Sequence, residues 1–107
     1  MKAPLKSRRT VRELPPPPPH LDGPEAELWA SLVSSFAFDD PASRAILEAA
    51  CEARGRMRRC REQIDGEGMT TRDRFGQLRA HPLIAAERDA RAAFLAAART
   101  LNLDLGT

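Results

Sequence analysis

The sequence contains few of the residues from which enzyme active sites, metal sites and redox centres are built. Its 107 residues include no tyrosine, one tryptophan, two histidines and two cysteines. It has no phosphate-binding glycine loop, no nucleophile elbow and no set of side chains at metal-ligand spacing. These absences predict a protein that is not an enzyme and that needs no cofactor, no metal and no small-molecule substrate.

Other absences predict a cytoplasmic protein. No apolar run of 18 residues is present, and Pro4 with the charges after it interrupts the segment in which a signal peptide would lie. Cys51 and Cys60 fall in one predicted helix, where nine residues correspond to about 13.5 Å. Disulfide partners have Cα atoms within about 7 Å, so we expect two buried, reduced thiols.

Charge and proline divide the chain into three parts. Residues 1–20 form a basic arm with one acid, Glu13, and we expect this arm to be flexible and disordered. Its run Pro15–Pro19 should adopt polyproline II and hold the arm away from the domain, although such a run could also be a ligand for an aromatic groove. Residues 21–103 form one small helical domain, and residues 104–107 form a tail. A domain of this size is more stable when it buries an apolar face on a neighbour.

The first helix has a clear start signal. Asp22 is a good N-cap, Pro24 falls in the first turn, and Glu25 completes the spacing of a capping box. Apolar residues then recur at helical spacing, at Leu28, Trp29, Leu32, Val33 and Phe36. Trp29 is predicted to anchor the core rather than to stack on a base.

The second helix is long and has two apolar strips. We expect it to begin after Asp39 or Asp40, with Pro41 in its first turn, and to end near Asp65 before Gly66. The first strip has heptad spacing and consists of Ile46, Ala50, Ala53, Met57, Cys60 and Ile64. The second strip consists of Leu47 and Cys51. This apolar perimeter exceeds what one antiparallel partner helix and the short first helix need, and it predicts association with further copies of the chain.

The rest of the chain completes an all-α fold with a short first helix and an antiparallel hairpin of two long helices. Residues 66–80 are predicted to be irregular, with a short hairpin that turns near residues 73–76. A third helix should run from Pro82 to about Leu101 and fold back on the second. The residues expected in the core or at an oligomer interface are Trp29, Ile46, Leu47, Met57, Ile64, Phe94 and Leu95.

Arginine is concentrated in the second helix, where five of eight consecutive residues are arginines. These arginines could be a solvated face that pairs with the acidic first helix. Alternatively, because guanidinium donates two hydrogen bonds to phosphate, they could bind a nucleic-acid backbone independently of sequence. On the second interpretation, the DNA-binding residues are Lys2, Lys6, Arg8, Arg9, Arg12, Arg54, Arg56, Arg58, Arg59 and Arg61.

The order of several short motifs resembles the small terminase subunits of tailed phages. After a basic, proline-rich start come PHLDGPEAELW at Pro19–Trp29, a long helix, a glycine, HPLIAA at His81–Ala86 and FLAAARTL at Phe94–Leu101. The resemblance covers about residues 15–103. It departs from the family pattern at His81, where the family often has Asn, and after Leu103, where the family usually continues with LGL-x-P. The arginine- and alanine-rich composition also suggests a bacterial host of high GC content.

The resemblance implies a role in DNA packaging into capsids, in a phage or a gene transfer agent. Small terminase subunits form rings, bind double-stranded DNA, and recruit or regulate the large subunit, which contains the ATPase and nuclease activities. The expected partners are therefore duplex DNA, the large terminase subunit and further copies of this chain, with no membrane. Two rivals remain: a helical adaptor that regulates another protein without touching DNA, and a sequence-specific repressor.

Overall fold

The computed structural model describes residues 14–103, which form three helices and a small two-stranded sheet. The predicted all-α architecture, with one short and two long helices, is confirmed, and a short β-hairpin is added to it. The elements are α1 (Gly23–Ser35), α2 (Pro41–Glu67), β1 (Thr70–Arg72), β2 (Leu78–Ala80) and α3 (Leu83–Thr100). Among these residues, no helix is both long enough and apolar enough to cross a membrane.

Helix α1 begins where the sequence predicts, but its N-cap side chain has a different partner. Asp22 occupies the N-cap position with extended backbone, and Pro24 lies in the first turn. The carboxylate of Asp22 makes no capping hydrogen bond within α1 and instead accepts from Arg58 and Arg59 of α2. The predicted capping box is therefore wrong, because the two acids at its positions face the arginines of another helix.

Helix α2 is capped as predicted and is slightly longer than predicted. Asp40 is the N-cap, and its carboxylate accepts from the backbone N–H of Ser43 at 3.1 Å and from the Ser43 hydroxyl at 2.7 Å. The helix continues through Gly66 and ends at Glu67, and Gly68 follows with φ of +92°. Glycine adopts this positive φ, here with ψ of 161°, without a Cβ clash. Gly68, rather than Gly66, is the stop signal.

The predicted hairpin between the two long helices is present. Strands β1 and β2 pair antiparallel, with Thr71 opposite Arg79. Asp73 shapes the turn, because one of its carboxylate oxygens accepts from the backbone N–H groups of Phe75 and Gln77 at 2.9 and 3.0 Å. These two hydrogen bonds, and a third from Arg79, hold the pKa of Asp73 below its usual value.

Helix α3 is entered through a buried histidine. Nδ1 of His81 accepts the backbone N–H of Leu83 at 3.1 Å, so Nε2 carries the proton and donates to the Glu67 carboxylate at 2.7 Å. The hydrogen bond from His81 is the main reason why the pKa of Glu67 is lowered. His81 thus joins the end of α2 to the start of α3.

The two long helices pack antiparallel, as predicted. Arg61 contacts Glu87 at 3.0 Å, and the Arg54 guanidinium lies 5.9 Å from the centroid of the Phe94 ring. A step of seven residues backward along α2 therefore matches a step of seven residues forward along α3. The first apolar strip of α2 runs along this side of the helix. It is covered within the protomer, since its residues Ala50, Ala53, Met57 and Cys60 are all buried.

The second apolar strip of α2 packs against α1. Leu47 and Cys51 are fully buried in one cluster with Trp29, Val33, Phe38 and Leu101. Burial is the main cause that raises the pKa of the Cys51 thiol to about 11, so this side chain is an inert core residue. Both strips of α2 thus face the chain's own helices, and oligomerisation stays a prediction.

The proline-rich segment lies against the helices. The indole Nε1 of Trp29 donates a hydrogen bond to the carbonyl of Pro15 at 3.0 Å, and Leu14 packs against the core cluster. The expectation that this segment holds the arm away from the domain is wrong for residues 14–20, because it did not consider the polar edge of the only tryptophan. The rest of the predicted arm, residues 1–13, and the tail 104–107 lie outside the described residues.

Candidate nucleic-acid interface

Arg58 is the arginine of α2 that is most deeply engaged with the rest of the fold. Its Nε and Nη2 donate to the two oxygens of the Glu25 carboxylate at 3.0 and 2.9 Å, in a bidentate pair. Glu25 is 2% exposed, and 30% of the Arg58 side chain is exposed. This hydrogen bond is the principal reason why the pKa of Glu25 lies below its usual value. The pair joins α1 to α2, and the Glu25 carboxylate balances the positive charge of Arg58 within the protomer.

A glycine in the middle of α2 makes room for this buried carboxylate. A Cβ atom added to Gly55 would lie 3.1 Å from Cδ of Glu25 and 3.2 Å from Nη1 of Arg59. Glycine in a helix interior costs about 1 kcal/mol relative to alanine. That cost is offset here by the close approach of α1, which brings Glu25 within reach of Arg58.

We expect the substitution Gly55→Ala to destabilise the protein by a net amount of about 1 kcal/mol, although alanine has the higher helix propensity. Overpacking against a carboxylate that is held in place costs about 1–3 kcal/mol, and the propensity gain is about 1 kcal/mol. Urea unfolding followed by circular dichroism measures the difference. Gly66→Ala in the same helix is the matched control, because nothing lies within 4 Å of its added Cβ, and it should stabilise the protein. Equal stabilisation by both substitutions would contradict the steric role of Gly55.

Two further arginines of α2, both exposed, form ion pairs within the protomer, and only one of the two acids is exposed. Arg59 contacts Asp22 at 3.2 Å, and Arg61 contacts Glu87 of α3 at 3.0 Å. Glu87 also accepts from Arg91. The Arg59–Asp22 pair is exposed on both sides and is worth little, about 0–1 kcal/mol, so an incoming phosphate can compete for its guanidinium group, whereas the Glu87 side chain is only 13% exposed.

Arg54 and Arg56 differ from the other three arginines. Both side chains are exposed, and neither lies within ion-pair distance of a carboxylate among residues 14–103. Arg54 lies over the Phe94 ring, which leaves its N–H groups available for hydrogen bonds. In the part of the chain that the structure describes, these two guanidinium groups are therefore the most available of the arginine cluster for an external anion.

The β-hairpin carries a second group of exposed cationic and apolar residues, which the sequence analysis did not single out. Arg72 and Arg79 are satisfied within the hairpin by the carbonyl of Gly76 and by the carboxylate of Asp73. The large apolar side chains that remain exposed on it are Met69, Phe75 and Leu78. The three-residue strands gave no alternating pattern from which this surface could have been predicted.

A comparison with protein-family models matches residues 27–105 to the family described as phage terminase, small subunit. The match spans most of the chain. The chain belongs to this family. The search of curated proteins and the search of solved structures returned no match. The predicted resemblance is thereby confirmed at the level of the family.

Membership of the phage terminase small-subunit family gives this chain a role in phage DNA packaging. Subunits of this family are generally regulatory or DNA-binding rather than catalytic. The family match includes α2, α3 and residues 27–35 of α1, so the arginine cluster lies inside it, whereas the proline-rich segment precedes it.

The predicted site residues of this terminase small subunit differ in whether the structure describes them and in how deeply they are buried. The arm cations Lys2, Lys6, Arg8, Arg9 and Arg12 lie outside the described residues. Of the predicted core or interface residues, Trp29, Leu47 and Met57 are buried, Ile46, Ile64 and Phe94 are half-buried, and Leu95 is 51% exposed. DNA binding and assembly by these residues stay predictions, and their burial decides which substitutions can test them.

Proposed function

We propose that this chain is a ring-forming terminase small subunit that binds duplex DNA largely independently of sequence and recruits or regulates the large subunit. The observation that carries the DNA-binding part is the pair Arg54 and Arg56 on α2, which are exposed and lack a carboxylate partner among the described residues. Together with the family's role in DNA packaging, two available guanidinium groups favour contact with phosphate.

In the proposed mechanism, the arginines of the cluster have unequal roles. Arg54 and Arg56 contact phosphates directly, and the basic arm adds its five cations. Arg59 exchanges its weak surface pair for phosphate when DNA is present, whereas Arg61 keeps its pair with the largely covered Glu87 and contributes the remaining donors of its exposed guanidinium. Arg58 remains with Glu25 and keeps α1 in position, so we exclude it from the DNA contacts. Each phosphate contact is weak, and binding of DNA requires many of them at once.

Assembly into a ring supplies that multiplicity. Because both apolar strips of α2 are covered within the protomer, the ring contact must use another surface. The exposed face of α3 is the best candidate, since Leu95 is exposed there beside Ala92 and Ala96. Small residues let a neighbouring helix approach closely. In a closed ring, each arginine of one protomer is repeated around the axis and faces the same DNA.

Recruitment of the large subunit is the third part of the proposal, and its support is the family's place in packaging. The division of labour is that this chain contributes DNA capture and assembly, and the large subunit contributes the ATPase and the nuclease. The host cytoplasm, where packaging takes place, is the proposed location.

The DNA-binding part predicts a steep salt dependence that two substitutions should weaken. Titration of random duplex DNA should give affinity that falls with salt. Arg54→Gln with Arg56→Gln should lower the slope of log K against log salt by about 0.9 for each phosphate that the variant no longer neutralises. Arg79→Gln is the matched control, because Arg79 pairs with Asp73 within the hairpin. Absence of binding at low salt, or binding that ignores salt, would overturn the DNA-binding proposal.

The adaptor without DNA binding remains the second candidate, and one observation favours it. Arg58, Arg59 and Arg61 all pair with acids of the same protomer, as expected for a solvated face that is matched to neighbouring helices. The same titration separates the two candidates. A large preference for one DNA sequence over random duplex would instead indicate a repressor.

A further inference from the structure

We propose that His20, Glu48 and Glu52 form a binding site for a divalent transition-metal ion of the Zn²⁺ class. Nε2 of His20 lies 2.7 Å from a carboxylate oxygen of Glu52 and 3.6 Å from one of Glu48. One potential ligand atom from each of the three residues lies within 4.8 Å of the others. Two ligands of a tetrahedral Zn²⁺ are roughly 3.3 Å apart, so small side-chain rotations bring all three atoms to ligand distance.

The two carboxylates are brought together by the helix. Glu48 and Glu52 are one turn apart in α2, and both side chains lie on its solvent side, with 39% and 44% of their surface exposed. Like charges at this spacing repel each other by about 0.2–0.5 kcal/mol, and both carboxylates point toward the same imidazole. A cation between them would remove that repulsion.

The third ligand is held in place by the proline-rich segment. The backbone N–H of Leu21 donates to the carbonyl of Pro18 at 3.1 Å, in a turn that contains His20. Upstream, the hydrogen bond from Trp29 to the carbonyl of Pro15 fixes the same segment to the core. Proline also restricts the backbone, so little conformational entropy is lost when the imidazole binds an ion.

The ligand chemistry selects the class of ion. One imidazole nitrogen and two carboxylate oxygens suit Zn²⁺ or Mn²⁺, whereas Ca²⁺ and Mg²⁺ prefer oxygen ligands alone. The side chains are exposed enough for an ion to enter and for water to complete its coordination, since His20 is 52% exposed. The two cysteines do not compete, because both are buried.

A bound ion would connect the N-terminal segment to the middle of α2. It would add a coordination link between residue 20 and residues 48 and 52 to the hydrogen bond that already holds Pro15. This site lies on the N-terminal side of the arginine cluster in the same helix, so the ion would add a second attachment of the proline-rich segment to the helices.

The proposal is tested with the full chain and Zn²⁺ alone. Calorimetric titration should show one ion bound per protomer, and thermal unfolding should shift to a higher temperature with Zn²⁺. Substitutions of the ligands, His20→Asn, Glu48→Gln or Glu52→Gln, should each raise the Kd for Zn²⁺ at least about tenfold. Asp65→Asn, which removes an exposed acid from the same helix, is the matched control and should leave the Kd unchanged.

Co²⁺ provides an independent spectroscopic test of the ligands. A nitrogen and oxygen site should give weak visible absorption without the strong near-ultraviolet band of a thiolate ligand. A thiolate band that disappears in Cys51→Ser or Cys60→Ser would overturn the assignment, because the ion would then sit on the cysteines. An unchanged Kd in all three ligand variants, or no binding of Zn²⁺ at millimolar concentration, would also overturn it.

Discussion

Replacement of Arg58 by methionine should lower the free energy of unfolding by about 3–5 kcal/mol, because it leaves the Glu25 carboxylate buried without its cation. Glu25 is 2% exposed and packs against Gly55, so its carboxylate would remain largely buried after its bidentate partner is removed. Methionine retains most of the packing of the arginine side chain, and the loss therefore reports on the unpaired charge rather than on a cavity. Urea unfolding at pH 7 measures it.

A double substitution separates the ion pair from other effects. Glu25→Gln combined with Arg58→Met removes both charges and should recover a large part of the stability that Arg58→Met alone removes. Arg54→Met is the matched control, since this exposed arginine has no carboxylate partner in the described part of the chain, and its stability should stay close to that of the wild type. A small effect of Arg58→Met, similar to that of Arg54→Met, would contradict the structural role of Arg58.

The same pair predicts how stability responds to acid. Because the pKa of Glu25 is lower in the folded chain than its ordinary 4.5, the pair stabilises the fold above that pH. This contribution should decline progressively as the pH falls below about 4.5 and through the lower folded-state pKa. The double variant, which has no carboxylate at position 25, should show a shallower loss of stability over this range.

The second large effect is expected at Met57, where the substitution Met57→Asp should unfold the protomer. Met57 is 4% exposed and lies on the strip of α2 that α3 covers, so an aspartate there would be buried without a partner. A cost of several kcal/mol is comparable to the total stability of a domain of this size. Circular dichroism should show loss of helix at protein concentrations where the wild type is folded.

Leu95→Asp is the matched substitution on the surface, and it tests the ring. Leu95 is 51% exposed on α3, so this variant should keep its helical content. If the exposed face of α3 mediates assembly, light scattering should give several protomers for the wild type and a monomer for Leu95→Asp. A wild-type monomer at micromolar concentration would refute the ring, and a folded oligomer of Met57→Asp would place that strip on the outside.

The local signals in the sequence predicted the helices well. Asp40 followed by Pro41 marked the start of α2, and His81 before Pro82 marked the entry to α3, because caps and prolines act on the backbone next to them. The end of α2 was placed too early, at Gly66. A glycine in the last turn costs little, and the chain leaves the helix only where Gly68 adopts positive φ.

Contacts between distant residues could not be predicted in the same way. The five clustered arginines of α2 have similar sequence surroundings, yet Arg58 reaches Glu25, 33 residues away along the chain, and Arg56 does not. The same limit applies to His20, which meets Glu48 and Glu52 from 28 and 32 residues away along the chain. The sequence alone left the pairing with the acidic first helix open as an alternative, and the structure shows that pairing for Arg58 and Arg59.

The contact of Leu14 and Pro15 with the core sets an upper limit on how far from that contact the cations of residues 1–13 can lie. An extended chain spans at most about 3.6 Å per residue, so Lys2, twelve residues before Leu14, can reach roughly 43 Å from that anchor whatever its conformation. If His20 were the first residue in contact with the domain, Lys2 could lie as far as about 65 Å from that point of attachment. The smaller radius confines the arm's charges to a smaller volume and so raises their effective concentration near the domain.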